Sequence, residues 1–284
     1  FRFFPSQEEA YTALMAEEVD MLSVSAQEYD SYEGDYIKYR HAAPAFTYIG
    51  YNTLQRPFNE APVREALSIA INREHLIEEL SGYATLTDGP YMPGSYWYGG
   101  MTPTPYNPEA AVALLDDAGW KLNSKGQLAK GSQLMKVTLI TNKNPLRTRI
   151  MEHIAEDWRE LGVQVDVKIQ DWGQFLGDLN RGAFDAAVVE ISITQDPDLR
   201  DVWHSSMCRQ GLNFSCYKSE AADLLLEKGA SVLNAQERKI YYDELQEQLM
   251  QDRHGLFLYV SDNLLLVAPR IRGVEPSSYG IMQD

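Results

Sequence analysis

The fold class follows from one segment of the chain, KVTLITNKNPLRTRIMEHIAEDWRELGVQVDVKIQ (136–170). It begins with apolar and β-branched residues (136–141) and ends with the alternating pattern VQVDVKIQ (163–170), and both patterns are typical of strands. The segment between them has the helical period, with Pro145 in its first turn and Gly162 at its end. A strand, a helix and a second strand in this order predict two parallel strands joined by a crossover helix.

The segments on either side continue this alternation. Helices are predicted at 61–82, 107–120, 172–182, 219–233 and 235–254, and a helix that runs into a short strand is predicted at 6–25. Further strands are predicted at 46–53, 184–193 and 255–269. Residues 83–108 are rich in Gly, Pro and Tyr and predict a long ordered loop. Together these elements predict an α/β fold with a mixed, largely parallel sheet flanked by helices.

Composition narrows the class of partner. The chain has 284 residues with 25 basic and 41 acidic side chains, a net charge of −16, which argues against binding to nucleic acid or to anionic lipid.

The longest apolar runs, LFLYV (256–260) and LLLVA (264–268), are far shorter than the roughly 20 residues that span a bilayer. We therefore expect a protein that does not cross the membrane. Because the chain starts without Met, we expect a processed protein or a fragment.

The two cysteines, Cys208 and Cys216, lie eight positions apart. They are too few for a zinc site without histidines at metal spacing, and we expect no metal or cofactor. Their spacing leaves two readings open, a disulfide across a short loop or two unrelated thiols.

The segment TQDPDLRDVWHSS (194–206) concentrates acids and a histidine. It suggests a metal or acid–base site, or simply the start of a helix. In the second reading Asp196 is the N-cap, Pro197 is the first helical residue, and Asp201 pairs with His204 one turn later. Leu199, Val202 and Trp203 then share one apolar face. The helix reading is favoured because it accounts for every acid.

Six stretches together resemble one family. They occur in the same order as in the extracytoplasmic solute-binding proteins of peptide and nickel ABC transporters, the oligopeptide/dipeptide-binding class of family 5. The stretches are YNTLQRPFNEAPVREALSIAINREHLI (51–77), GP with a Pro three residues later (89–93), YNPEAAVALLDDAGW (106–120), LGVQVDVKIQDWGQF (161–175), GAFDAAVV (182–189) and QERKIYYDELQEQLMQD (236–252). The resemblance covers nearly the whole chain.

The resemblance implies a lobe of the type II periplasmic-binding-protein fold with a remnant of the other lobe. Members of this family are roughly twice as long, so the chain resembles their C-terminal part. Residues 1–45 are then the remnant of lobe one, 46–257 are lobe two with the ligand, and 258–284 return to lobe one. The resemblance also implies a Cys208–Cys216 disulfide and a periplasmic or extracellular location, because disulfides persist in oxidising compartments.

Ligand contacts in this class come from the carboxyl ends of lobe-two strands. The resemblance implies contacts from residues at the ends of two such strands, within 139–146 and 188–197: Thr141, Asn142, Lys143, Asn144, Glu190, Ser192, Ile193 and Gln195. Peptide-binding relatives hold the α-ammonium with an aspartate and place a tryptophan three positions earlier, where this chain has Ile193 and Glu190. Glu190 either holds a cation in place of that aspartate, or faces solvent or pairs with an arginine.

Two further groups have alternative readings. Lys143 suits a ligand carboxylate or phosphate, although polar loops are common in any protein. The aromatic residues of the 83–108 loop either stack on a ligand or pack the loop onto its own lobe; they are Tyr91, Tyr96, Trp97 and Tyr98.

The resemblance implies a protein without enzymatic activity. It would capture a small solute, with peptides as the leading class, and deliver it to an ABC permease. The protein would stay near the membrane through the transporter or a lipid anchor. A ligand-sensing domain of a regulator or receptor is the alternative, since the same fold serves there. A metal-dependent hydrolase built on residues 194–206 is the third reading, and it requires three converging ligands.

Overall fold

The computed structural model describes residues 1–277, 280 and 281. A single 3₁₀ turn, Ser205–Met207, accompanies the α-helices. The helices are α1 (Gln7–Met15), α2 (Ala26–Ser31), α3 (Ala61–Ile69), α4 (Arg73–Glu79), α5 (Pro108–Asp117), α6 (Pro145–Glu160), α7 (Trp172–Arg181), α8 (Arg200–Trp203), α9 (Glu220–Ser231) and α10 (Ala235–Asp252).

The strands include one long strand near the C-terminus and several short ones. They are β1 (Met21–Ser23), β2 (Ile37–Ala42), β3 (Ala45–Tyr51), β4 (Ala84–Leu86), β5 (Lys121–Leu122), β6 (Leu128–Lys130), β7 (Gln133–Leu134), β8 (Lys136–Asn142), β9 (Gln164–Gln170), β10 (Ala186–Ser192), β11 (Gly255–Val267), β12 (Pro276–Ser277) and β13 (Gly280–Ile281). Residues 278, 279 and 282–284, which belong to the predicted return segment, lie outside the described residues.

The main sheet has the order β1-β11-β3-β10-β8-β9. The predicted α/β class and the mixed sheet are confirmed, but the prediction of a largely parallel sheet is wrong. Among the described strands of this sheet, only β10–β8 and β8–β9 are parallel, whereas β3 pairs antiparallel with both β10 and β11. The strand–helix–strand pattern sets direction only for strands joined by a crossover helix. The direction of β3 against β11, about 200 residues apart in the chain, leaves no such local pattern.

Strand β11 connects two groups of strands. Its first part pairs with β3 and β4, and its second part pairs with β1 and β2. The change of partners falls near Ser261, whose carbonyl accepts a hydrogen bond from the amide of Ala43 between β2 and β3. The chain thus passes twice between the two strand groups at neighbouring points.

Helices cover both faces of the central strands. Along β10, Ala186 and Val188 pack on one side with α3, α5 and α6, and Val189 packs on the other with α7 to α10. Burial on both faces explains why the first four residues of this strand, 186–189, are all apolar. On the first face, the buried Trp158 of α6 donates its indole N–H to the carbonyl of Leu67 at 2.8 Å. This contact fixes α6 against α3.

The predicted helix at 61–82 is two helices. Helix α3 ends at Ile69, and α4 begins after Asn72, whose side chain accepts the amide of His75 at 3.2 Å. The N-cap preference of asparagine therefore outweighs the continuing apolar pattern of this segment. The break turns α4 so that it packs beside α6.

The segment 194–206 begins its helix later than predicted. Helix α8 starts at Arg200, so the predictions of Asp196 as N-cap and of Pro197 as first helical residue are wrong. The Asp196 carboxylate instead accepts hydrogen bonds from the Asp198 amide and from Arg238. The predicted apolar face is confirmed, since Leu199, Val202 and Trp203 are buried.

His204 does not form the predicted contact with Asp201. Its ring lies 3.4 Å from Glu227 and 4.0 Å from Asp223, both on α9. The chain turns away from helical geometry at His204, which directs the ring toward α9 rather than along α8.

Beyond this turn, Cys208 and Cys216 form the disulfide that the family resemblance implies. None of the helices in the described ranges is long and apolar enough to span a membrane.

Candidate functional site

Polar side chains gather where the parallel strands β8 and β10 end. Strand β8 ends at Asn142 and β10 ends at Ser192. Only two residues, Lys143 and Asn144, separate β8 from α6. The Asn144 side chain caps α6 by accepting the amides of Leu146 and Arg147, both at 3.0 Å. This tight connection holds the first turn of α6 beside the end of β10.

Arg147 is the charge at the centre of this site. Its Nη1 lies 3.1 Å from Oε2 of Glu190, and its Nε donates to Oδ1 of Asn142 at 3.1 Å. Only 13% of the Arg147 side chain is exposed, whereas 42% of the Glu190 side chain is exposed. Glu190 therefore pairs with an arginine, which is one of the alternatives that the sequence left open. The pairing leaves the Glu190 carboxylate partly exposed to solvent.

A buried tyrosine lies beside this ion pair. Thr47 of β3 lies opposite Glu190 in one ladder and opposite Tyr259 in the other. Burial raises the pKa of Tyr259 to about 12; its hydrogen bond to Thr47 and the charge of Arg147 lower it to a smaller extent, and the charge of Glu190 raises it slightly further. The phenol stays protonated at neutral pH, so Glu190 is the acid that this cluster presents.

The other residues predicted at these strand ends have different roles. Thr141 is buried and donates its hydroxyl to the carbonyl of Val188 at 3.0 Å, which joins β8 to β10. Ile193 is buried in the core, and its amide donates to the carbonyl of Pro44. Ser192 and Gln195 are exposed. Of these four, only Ser192 and Gln195 present their side chains to solvent.

Lys143 lies at the outer edge of the site. Its Nζ is 2.8 Å from Oδ1 of Asp171, and about two thirds or more of each side chain is exposed. Its backbone amide donates to the carbonyl of Gln170 at the end of β9. A solvated ion pair of this kind adds little stability.

The aromatic residues of the 83–108 loop pack against helix α10. Tyr91 is buried and donates its hydroxyl to the carbonyl of Pro197, and its ring lies 6.1 Å from that of Tyr242 on α10. The ring of Trp97 lies 6.0 Å from that of Tyr242. The ring of Tyr96 meets that of Trp97 edge to face. These contacts fit the packing reading of the loop.

Sequence reasoning did not identify Arg147. A usable signal exists, because Asn144 is an N-cap and Pro145 suits the first helical position, which places Arg147 in the first turn directly after a strand end. A side chain there points back toward the strand it follows. Chemically, the site offers a fixed carboxylate at its surface and a mostly buried guanidinium behind it.

The comparisons with known proteins agree on one family. The family described as "Bacterial extracellular solute-binding proteins, family 5 Middle" matches residues 1–211. The oligopeptide-binding protein AppA of Bacillus subtilis is 28% identical over 96% of this chain and 52% of its own length. Heme-binding protein A of Haemophilus influenzae is 26% identical over 82% of this chain and 42% of its own length. The chain thus spans about half the length of the curated relatives it matches.

Solved structures show the same fold. The structure of Bacillus subtilis AppA in complex with a nonapeptide aligns with a TM-score of 0.84 and covers 96% of this chain and 56% of that one. NikZ from Campylobacter jejuni, in complex with Ni(L-His), aligns with a TM-score of 0.84 at 21% identity and covers 99% of this chain and 58% of its own. The two structures carry chemically different solutes on one fold.

Proposed function

Because the chain belongs to the bacterial extracellular solute-binding proteins of family 5, we propose that it captures a small solute and delivers it to the permease of an ABC importer. A peptide is the class of solute that we propose. The observation that carries this proposal is the Arg147–Glu190 pair at the ends of β8 and β10. Such strand ends are where ligands bind in open α/β sheets. A similarity to a peptide-binding relative, AppA, supports the choice of peptide.

Glu190 is the group that we assign to the solute's ammonium. It lies on β10 three positions before Ile193, which occupies the position of the aspartate in peptide-binding relatives. The partly exposed carboxylate accepts the N–H groups of the ammonium, while Arg147 and Asn142 hold it from behind. Charge-assisted hydrogen bonds of this kind are stronger than neutral ones. Asn142, Lys143, Asn144, Ser192 and Gln195 complete the contacts, with Thr141 and Ile193 fixing the strands beneath.

We assign the solute to a cleft between two lobes. In this proposal residues 1–45 and 258–284 belong to lobe one, and residues 46–257 form lobe two. The exchange of partners along β11 supports this division. The protein performs no chemistry on its solute. The Cys208–Cys216 bond supports a periplasmic or extracellular location, with attachment through the transporter or a lipid anchor.

Native mass spectrometry of the full-length protein purified from its own source tests the proposal. We expect a co-purifying small molecule whose mass matches a short peptide. Titration with a panel of peptides of two to nine residues should then raise the melting temperature, because a ligand that binds only the folded state stabilises it. A co-purifying solute without peptide bonds, together with no response to the panel, would refute the peptide assignment while leaving the solute-binding role in place.

A further inference from the structure

Two imidazoles and a carboxylate meet between α4 and α6. His75 and Glu79 lie on α4, His153 lies on α6, and one ligand atom from each lies within 4.8 Å of the other two. Nε2 of His153 is 3.2 Å from Oε1 of Glu79, and the two imidazole rings are 4.6 Å apart, nearly perpendicular. These residues are separate from the strand ends that form the solute site.

The helices hold this cluster in place. His75 and Glu79 are four residues apart and therefore share one face of α4. The backbone amide of Asn72, just before α4, donates to Oδ2 of Asp157 on α6 at 2.9 Å. Asp157 is one turn beyond His153, so the two helices are joined directly beside the cluster. The backbone positions of the three residues are thus set by the fold.

The surroundings favour a cation. Nδ1 of His75 lies 3.0 Å from Glu78, and Nδ1 of His153 lies 4.0 Å from Glu156. A carboxylate within hydrogen-bond distance of one ring nitrogen, as Glu78 is of His75, fixes the tautomer and makes the other nitrogen a better metal ligand. Arg149, 3.8 Å from Glu79, is the positive group at this site and is 58% exposed, so its side chain can move away.

We propose that His75, Glu79 and His153 bind a divalent transition-metal ion of the zinc type. Two imidazoles and one carboxylate suit Zn²⁺, whereas Mg²⁺ and Ca²⁺ prefer oxygen ligands throughout. Ligand bonds to Zn²⁺ are about 2.0–2.2 Å long and tetrahedral, which places ligand atoms about 3.4 Å apart, so atoms that now lie up to 4.8 Å apart must approach by up to about 1.4 Å. Their partial exposure allows this rotation. Water fills the remaining coordination position.

The bound ion clamps α4 to α6 at a distance from the solute. His153 is six residues from Arg147 on α6, which corresponds to about 9 Å along the helix. The site therefore does not require a solute to be bound. Its effect is on the stability of the lobe, since an ion that binds only the folded protein raises the melting temperature.

Zinc titration of the untagged protein tests this proposal. The protein is stripped with EDTA, exchanged into metal-free buffer, and titrated with ZnSO₄ by calorimetry and by thermal melting, with MgCl₂ as the comparison. We expect about one Zn²⁺ per chain, a higher melting temperature with Zn²⁺, and no response to Mg²⁺. His153→Ala and Glu79→Gln should each weaken binding at least about tenfold.

His204→Ala is the matched control. His204 is also surrounded by carboxylates, those of Asp223 and Glu227, but it is not part of the cluster. This variant should bind Zn²⁺ as the unchanged protein does. The proposal is overturned if the unchanged protein binds no Zn²⁺, or if binding survives in His153→Ala and Glu79→Gln. Melting curves in EDTA show whether each variant is folded before it is titrated.

Discussion

Nη1 of Arg147 lies 3.1 Å from Oε2 of Glu190, and this contact joins the first turn of α6 to the end of β10. The arginine is mostly buried, while the glutamate is partly exposed. Nε of the same guanidinium holds Asn142 at the end of β8. One side chain thus connects two neighbouring strand ends and orients the carboxylate that we assign to the solute.

Arg147→Lys should lower the free energy of unfolding by about 1–3 kcal/mol, because an ammonium cannot replace the two directed bonds of the guanidinium. Urea unfolding measures this change. Lys143→Gln is the control, since Lys143 forms an exposed pair with Asp171 and its loss should change stability by less than about 0.5 kcal/mol. Equal effects of the two substitutions would contradict the central role of Arg147.

Arg73 should be among the side chains most important for stability. It is buried, lies 2.9 Å from Asp88, and donates to the carbonyls of Thr87, Thr104 and Phe257. These bonds attach both ends of the 83–108 loop to β11 of the sheet. Arg73→Gln leaves Asp88 buried without its partner, so we expect a loss of about 3–5 kcal/mol in urea unfolding. The exposed Arg149→Gln should cost far less, and a similar loss there would argue against this reading.

Reduction of the Cys208–Cys216 bond should destabilise the protein. The bond closes a loop with a sequence separation of 8, for which loop-closure entropy predicts a loss of about 2–3 kcal/mol. The measurement is urea unfolding with and without dithiothreitol. A variant with both cysteines changed to serine should match the reduced protein and should not respond to the reductant.

His254 should make the protein less stable in mild acid. The ring is buried between Trp203 and Tyr217, and burial lowers its pKa from the ordinary 6.5 to about 4. The unfolded chain therefore binds this proton first as the pH falls. Stability contributed by the neutral ring is complete above about pH 6.5 and is lost progressively down to about pH 4, by about 3 kcal/mol in total.

His254→Phe isolates this effect. Free energies of unfolding are measured for both proteins between pH 4 and pH 7.5. The difference between them should shrink or reverse in favour of the variant as the pH falls, because phenylalanine does not titrate. Parallel pH profiles for the two proteins would show that His254 is not the group responsible.

Local pattern predicted the elements where one period continues without interruption. The block at 136–170 folds as predicted, because its first strand is rich in apolar and β-branched residues, its second strand alternates, and its helix has a cap at one end and glycine at the other. The break at Asn72 was not predicted, because apolar residues continue through Ala70 and Ile71 and hide the cap. Strand direction at β3 was missed for a different reason, since its partners lie far away in the chain.

The candidate site at the strand ends stays a prediction, and the structure shows which of the predicted side chains lie together there. Strand ends were expected to carry it, and the side chains of Asn142 and Glu190 do lie together there. Their link, Arg147, was missed because its partner Glu190 is 43 positions away and an arginine on a helix usually faces solvent. The cluster of His75, Glu79 and His153 was missed likewise, because its members meet only when α4 turns beside α6.

We assign the ammonium of a bound peptide to Glu190. Calorimetry with a peptide that binds tests this assignment, using the free peptide and its N-acetylated form against the unchanged protein and Glu190→Gln. We predict that Glu190→Gln weakens binding of the free peptide by about 10- to 100-fold, as expected for a charged hydrogen bond worth about 1.5–3 kcal/mol, and leaves binding of the acetylated form unchanged. Unaltered affinity of Glu190→Gln for the free peptide would show that Glu190 does not hold the ammonium.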